Sequence, residues 1–280
     1  MNEQNGINMG NKKRRKEQFL KQHPLCCFCG GETPATTFDH WPSRAVFDGR
    51  QWPEEYVFPA CAPCNSTTAN DETLFALLCR LKSTKESEDS FEQTKKLLIA
   101  VYEKRPGLYR SLFPRANQVR NWIKTIKYLL PPGETTKSIP LLSLKHPEIN
   151  ASIARCAAKL FLGLHYKNTG TIIPKAGGVL FKWFTNANRA EETPIEYLLK
   201  ILPNQPELKW QTKVLDDQFT YRYLIGETNG IASAFLVKFH ESIGMAGLIF
   251  SHYEKLNSIA PESDISLAFQ VLRPFSWPPT

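Results

Sequence analysis

Residues 25–72 read LCCFCGGETPATTFDHWPSRAVFDGRQWPEEYVFPACAPCNSTTANDE. Two short pairs frame the stretch, Cys26/Cys29 and Cys61/Cys64, each with two residues between the thiols. At that spacing two thiolates on a tight turn reach one tetrahedral Zn²⁺. Gly30 and Gly31 after the first pair and Pro63 inside the second suit such turns. An odd total of seven cysteines opposes a disulfide framework, and two CxxC pairs so close together oppose a single redox motif. The spacing therefore predicts a structural zinc site on Cys26, Cys29, Cys61 and Cys64. Cys27 is an alternative to Cys26, although only Phe28 would then separate the two ligands. Cys79 and Cys156 lie in apolar helical patterns and read as core thiols.

Between the knuckles, Thr36-Thr37-Phe38-Asp39-His40 is a β-prone run closed by Pro42. Neighbouring strand residues point to opposite faces, so Asp39 and His40 serve one point only if the strand ends or bends there. Asn65 follows the second knuckle directly, and a polar run rich in N-cap residues leads from it into the apolar helix TLFALLCRL. The strand end and the helix start are thus tethered to one zinc, which is expected to gather Asp39, His40 and Asn65.

These residues resemble the HNH endonucleases, the ββα-metal fold in its zinc-stapled variety. The resemblance rests on CxxC at 26–29, Asp39-His40, and FPACAPCN at 58–65, and covers roughly 50 of the 280 residues. It implies His40 as the general base that deprotonates the attacking water. It further implies Asp39 and, through its amide oxygen, Asn65 as ligands of a catalytic Mg²⁺ or Mn²⁺, the zinc being structural only. One position departs from the family motif. Where a middle asparagine orients the histidine, this chain has Tyr56, with Glu55 beside it. Either side chain is a candidate orienting group, Glu55 is also a candidate metal ligand, and a degenerate, inactive site is the other outcome. Arg44 and Arg50, the basic residues of the acidic segment, are candidate phosphate clamps or else surface partners of Asp48 and Glu54.

Outward from this module the charge is uneven. The chain carries a formal +8. Residues 1–24 hold six Lys or Arg against two acids, residues 25–72 two against seven, residues 73–145 fourteen against six, and the remainder is nearly balanced. An acidic segment flanked by basic ones suits a cation held beside a polyanion. Lys12, Lys13, Arg14, Arg15 and Lys16 form a basic arm able to add phosphate contacts. Further on, Val119, Ile123, Ile126 and Leu130 make an apolar helical stripe, with Arg120, Lys124 and Lys127 on another face as a candidate track for duplex backbone or as a solvated surface.

The fold class expected is α+β. A basic arm (1–24) precedes the zinc-stapled module (25–80), a basic helical segment (81–130) and an α+β domain of unknown role (140–280). In that last domain HPEINASIARCAAKLFLGLHY and TPIEYLLKIL read as helices and the period-two runs after 208 as antiparallel strands, with Asn229-Gly230 as a hairpin turn. His146, His165, His240 and His252 show no ligand spacing and read as structural. No membrane span and no secretory signal are legible, so the expected setting is cytoplasmic. The expected function is metal-dependent hydrolysis of phosphodiester bonds in nucleic acid, double-stranded DNA above all. The alternative is a non-catalytic zinc-ribbon module that binds nucleic acid or a protein partner. In a third possibility the C-terminal domain senses a small molecule or assembles with other subunits, itself included, in a defence system or mobile element.

Overall fold

The two knuckles flank a hairpin. In the computed structural model, which describes residues 3–53, 55–81, 88–125, 127, 129, 132–133, 135, 141–185, 208–210, 215, 218–228, 231–255 and 270–272, β1 (Thr37–His40) pairs antiparallel with β2 (Val57–Ala60). The register sets Asp39 opposite Phe58 and His40 opposite Val57. Backbone bonds from Cys27 N to the Pro59 carbonyl and from Thr36 N to the Ala60 carbonyl, both 3.0 Å, join the first knuckle to the hairpin. After β2 the chain enters α2 (Ala62–Ser66), with Pro63 in its first turn, where the missing N–H costs nothing. It then breaks and restarts as α3 (Ala69–Arg80), whose Asp71 and Glu72 sit favourably at the positive end of the helix dipole. The N-terminal module is thus ββα-like.

Ahead of it, the basic arm is helical: α1 spans Glu3–Gln22 and carries Lys12–Lys16. Lys, Arg, Glu and Gln lose little side-chain freedom in a helix, and Phe19 anchors this one edge-on to Phe38 at 6.1 Å. The middle segment forms α4 (Glu88–Lys104), α5 (Pro106–Leu112) and α6 (Ala116–Thr125). On α6, Val119 and Ile123 are buried while Arg120 and Lys124 are exposed, as the stripe predicts. The helix is described as far as Thr125, and Lys127, at φ 51°, is not in helical conformation, so it does not continue the stripe of Arg120 and Lys124.

The C-terminal half pairs one long helix with one antiparallel sheet. Helix α7 (Pro147–Thr169) stops at Gly170 in the left-handed conformation. The sheet has the order β4-β5-β6-β7-β3-β8, from β3 (Gly178–Thr185), β4 (Lys209–Trp210), β5 (Phe219–Thr228), β6 (Ile231–Phe239), β7 (Ile243–Phe250) and β8 (Gln270–Leu272). Strands β5 and β6 are adjacent, as the Asn-Gly signal predicts, although residues 229 and 230 lie outside the described residues. So does the helix expected over 193–202, and of the strand expected from KWQTKVL only Lys209, Trp210 and Leu215 are described.

Phe161 of α7 packs on Phe181 and Phe235 of the sheet at 6.5 and 6.3 Å. On another side of the same helix Gly163 lies under the Phe58 ring of β2, which a β-carbon would approach to 3.2 Å. The module also rests on the sheet through Tyr56 and Phe219 (5.4 Å) and Phe75 and Phe239 (5.2 Å). One apolar core consequently runs from the knuckles to β7, with α7 serving both halves.

Three of the histidines read as structural are bonded accordingly, and His252 is exposed. His146 caps α7, accepting from Glu148 N, and His240 Nε2 donates to the Val46 carbonyl at 2.8 Å. His165 meets the Ser233 and Thr171 hydroxyls at 2.9 and 3.0 Å. Burial pushes the His165 pKa down to about 4 from its ordinary 6.5. Between those values the unfolded chain takes up a proton that the folded chain refuses, so stability falls as pH drops through this window, by about 3 kcal/mol at its acid end. Thermal midpoints measured from pH 7 to pH 4.5 should fall, and His165→Gln should flatten the slope; an unchanged slope in the variant would assign the acid sensitivity elsewhere.

Candidate functional site

The sulfurs of Cys26, Cys29, Cys61 and Cys64 lie within 4.8 Å of one another, three of the residues buried and Cys29 partly so. A tetrahedral zinc ion with bonds of about 2.3 Å needs sulfurs roughly 3.8 Å apart, so the set fits such an ion. The local backbone is built for it. Gly30, at φ +76°, comes so near the loop after α7 that a β-carbon there would sit 2.9 Å from Lys175 N. Thiolates are soft ligands, and four of them at this spacing suit a borderline-soft divalent cation such as zinc. Cys27 is buried outside the set, with burial and the nearby Cys26 raising its pKa, so the open choice between Cys26 and Cys27 falls to Cys26. Cys79 and Cys156 are core thiols, as their helical patterns suggest.

Asp39 faces the interior, only 5% exposed. With its amide nitrogen turned inward, Asn65 donates to both Asp39 oxygens at 3.2 and 3.3 Å, so these two residues do come together beside the cysteine cluster. A third group completes the pocket. The ammonium of Lys159, from the middle of α7 and wholly buried, stands 2.5 Å from Asp39 Oδ2. It also donates to the Thr68 hydroxyl at 2.7 Å and to Glu72 Oε1 at 3.0 Å. The rings of Phe28 and Trp41 close over it at 5.6 and 5.2 Å. Burial works against the ammonium, but Asp39 and Glu72 outweigh it and hold the Lys159 pKa above the ordinary lysine value. Burial raises the Asp39 pKa to about 6 against the pull of Lys159. Mg²⁺ or Mn²⁺ takes oxygen ligands and keeps several waters. A closed pocket with two aromatic faces and a resident ammonium does not fit such an ion.

His40 lies on the opposite face of β1, as strand alternation requires, with Phe38 beside it at 5.2 Å and Trp52 at 4.5 Å. The strand does not bend to bring it to Asp39. The imidazole is half-buried in a cleft of about 920 Å³. Arg15 and Phe19 of helix α1, His23 just after it, and Tyr166 and Lys167 near the end of α7 line that cleft. Arg44, its guanidinium 5.4 Å over the Trp52 ring, and Glu55, bonded to Lys167 at 3.2 Å, complete the rim. Burial and the Arg44 charge lower the His40 pKa below the usual histidine value, which keeps the imidazole neutral near neutral pH. Tyr56 is not beside it. Its ring is 1% exposed in the core against Phe219, because an aromatic ring at that register gains most by burial. Asp48, weighed as a partner of the arginines, pairs at 2.7 Å with buried Arg80 instead and leaves Arg44 to the cleft. For Lys12 and Arg50 only the backbone is described; Lys13, Arg14 and Arg15 are exposed and Lys16 is half-buried on α1.

The sequence reading missed Lys159, Thr68, Glu72, His23, Tyr166 and Lys167. Lys159 had a signal. A cation amid CAAKLFLGL must leave the apolar face or find a buried carboxylate. The others had none, being ordinary polar residues brought in by packing. A smaller pocket of about 330 Å³ lies on the C-terminal sheet, where the Arg222 guanidinium stacks 3.7 Å over Trp210. No described helix is long and apolar enough to cross a membrane. No family model, curated protein or solved structure matches the chain.

Proposed function

We propose that the chain acts on nucleic acid as an endonuclease, hydrolysing phosphodiester bonds in the cleft where His40 stands. The observation that carries this reading is the His40 imidazole facing a large open cleft whose rim holds Arg15, Arg44 and Lys167. Aromatic walls suit base stacking, and the cations suit phosphate oxygens. His40 takes a proton from a water whose oxygen attacks phosphorus. As the P–O ester bond breaks, the leaving oxygen is protonated from solvent, and the rim cations offset the charge that builds on the phosphoryl oxygens. The Mg²⁺ or Mn²⁺ anticipated on Asp39 and Asn65 would require Lys159 to leave, so no step is assigned to it. The zinc holds the hairpin against the helices.

The second reading, a zinc-stapled module that binds nucleic acid without cutting it, is favoured by the closure of Asp39 under Lys159. Nicking of supercoiled DNA by the full chain, with and without Mg²⁺ or Mn²⁺, separates the two. His40→Ala should lower the cleavage rate by about 10²–10⁴-fold while leaving binding nearly intact. Arg44→Ala and Lys167→Ala should weaken binding, each lowering the salt slope by about 1. Tight binding with no cleavage in any metal, unchanged by His40→Ala, would establish the second reading.

A further inference from the structure

The Asp39 pocket is complete without a metal. An ammonium has three N–H donors, and Lys159 finds three oxygen acceptors, on Asp39, Thr68 and Glu72, at 2.5 to 3.0 Å. Above them Phe28 and Trp41 present ring faces, which attract an organic cation and offer nothing to a hard divalent one. Lys159 and Thr68 are 1% and 0% exposed, so bulk water does not reach the ammonium, whereas Mg²⁺ retains several waters. Two carboxylates facing one buried ammonium leave a residual negative charge, and the Asn65 amide turned toward Asp39 supplies further donors.

We propose that this pocket is an ammonium cage with Lys159 as its permanent cation. It stands where a ββα-metal centre places Mg²⁺ or Mn²⁺, and the folded chain takes up no divalent cation there. The inference rests on the ββα reading of the module and not on hydrolysis at His40. Any chemistry in the cleft then proceeds with Arg15, Arg44 and Lys167 as the charges that meet the phosphate.

The test uses the zinc-saturated full chain. Free Mn²⁺ is followed by electron paramagnetic resonance as protein is added, for the wild type and for Asp39→Asn. The wild type should leave the Mn²⁺ signal unchanged, and uptake of one equivalent that disappears in Asp39→Asn would overturn the proposal. A second measurement works through a gain. Lys159→Ala leaves the cage empty, and its thermal midpoint should rise with ethylammonium chloride more than with sodium chloride at equal ionic strength. MnCl₂ should give no comparable rise; a larger rise with MnCl₂ than with ethylammonium would show a divalent site and defeat the idea. If Lys159→Ala does not fold, the wild-type titration decides alone. DNA cleavage is read separately, so failure of the nuclease reading leaves this result standing, and the reverse holds too.

Discussion

Cys64→Ser is expected to release the zinc and to lower the thermal midpoint by roughly 10 °C or more. Cys64 is fully buried among the three other ligand sulfurs, so a serine there offers no thiolate and leaves a poorer set of three. In small zinc modules the metal contributes about 10–16 kcal/mol of apparent folding free energy, as much as the whole stability of an ordinary domain. Here the loss is smaller, because Phe58, Tyr56 and Phe75 tie the module to α7 and the sheet. Cys27→Ser is the control: its sulfur is buried outside the ligand set, so zinc content should stay at one per chain. Elemental analysis with thermal melts, in the presence and absence of chelator, reads both. Full zinc retention in Cys64→Ser would contradict the assigned ligand set.

The second large effect is expected at Lys159. Lys159→Met keeps most of the side-chain volume but strands the Asp39 and Glu72 carboxylates, and breaking a buried pair in this way costs about 3–5 kcal/mol. The loss should depend on pH in a definite sense. Burial already raises the Asp39 pKa to about 6, and removing the ammonium takes away the main opposing pull. The folded variant therefore holds a carboxyl proton that the unfolded chain gives up near pH 4, so its stability declines as pH rises through and above that window. Denaturant melts should show a deficit relative to wild type that is smaller at pH 5 than at pH 8. Adding Asp39→Asn to Lys159→Met should recover part of the loss, with a coupling of about 2 kcal/mol or more in the double-mutant cycle. An additive cycle would mean that Asp39 and Lys159 do not depend on each other.

Residues local to one another in sequence were readable as a site. Cys26, Cys29, Cys61 and Cys64 sit on turns whose spacing dictates their geometry, and Asn65, directly after Cys64, meets Asp39 beside them. Strand alternation already warned that Asp39 and His40 would part, and they do, because Pro42 ends β1 without the bend that would have aimed both side chains one way. Tyr56, just before β2, turns into the core for a related reason: alignment with a motif position says nothing of where the fold offers an aromatic ring the deeper burial.

What the sequence determined by itself is therefore whatever depends on short spacing and periodicity: the four-sulfur site, the hairpin between its halves, the α+β class and the long helix from Pro147. What the tertiary structure alone decided is the chemistry of the two faces of β1. Lys159 reaches Asp39 from 120 residues away, and α1 and the end of α7 bring Arg15, Phe19, Tyr166 and Lys167 to the His40 cleft. The apolar helix around Lys159 shows that the cation needs a buried partner, but nothing in the sequence says which carboxylate it meets. The ion pair forms because a cation carried inward on an apolar helix is tolerated only where a carboxylate already waits.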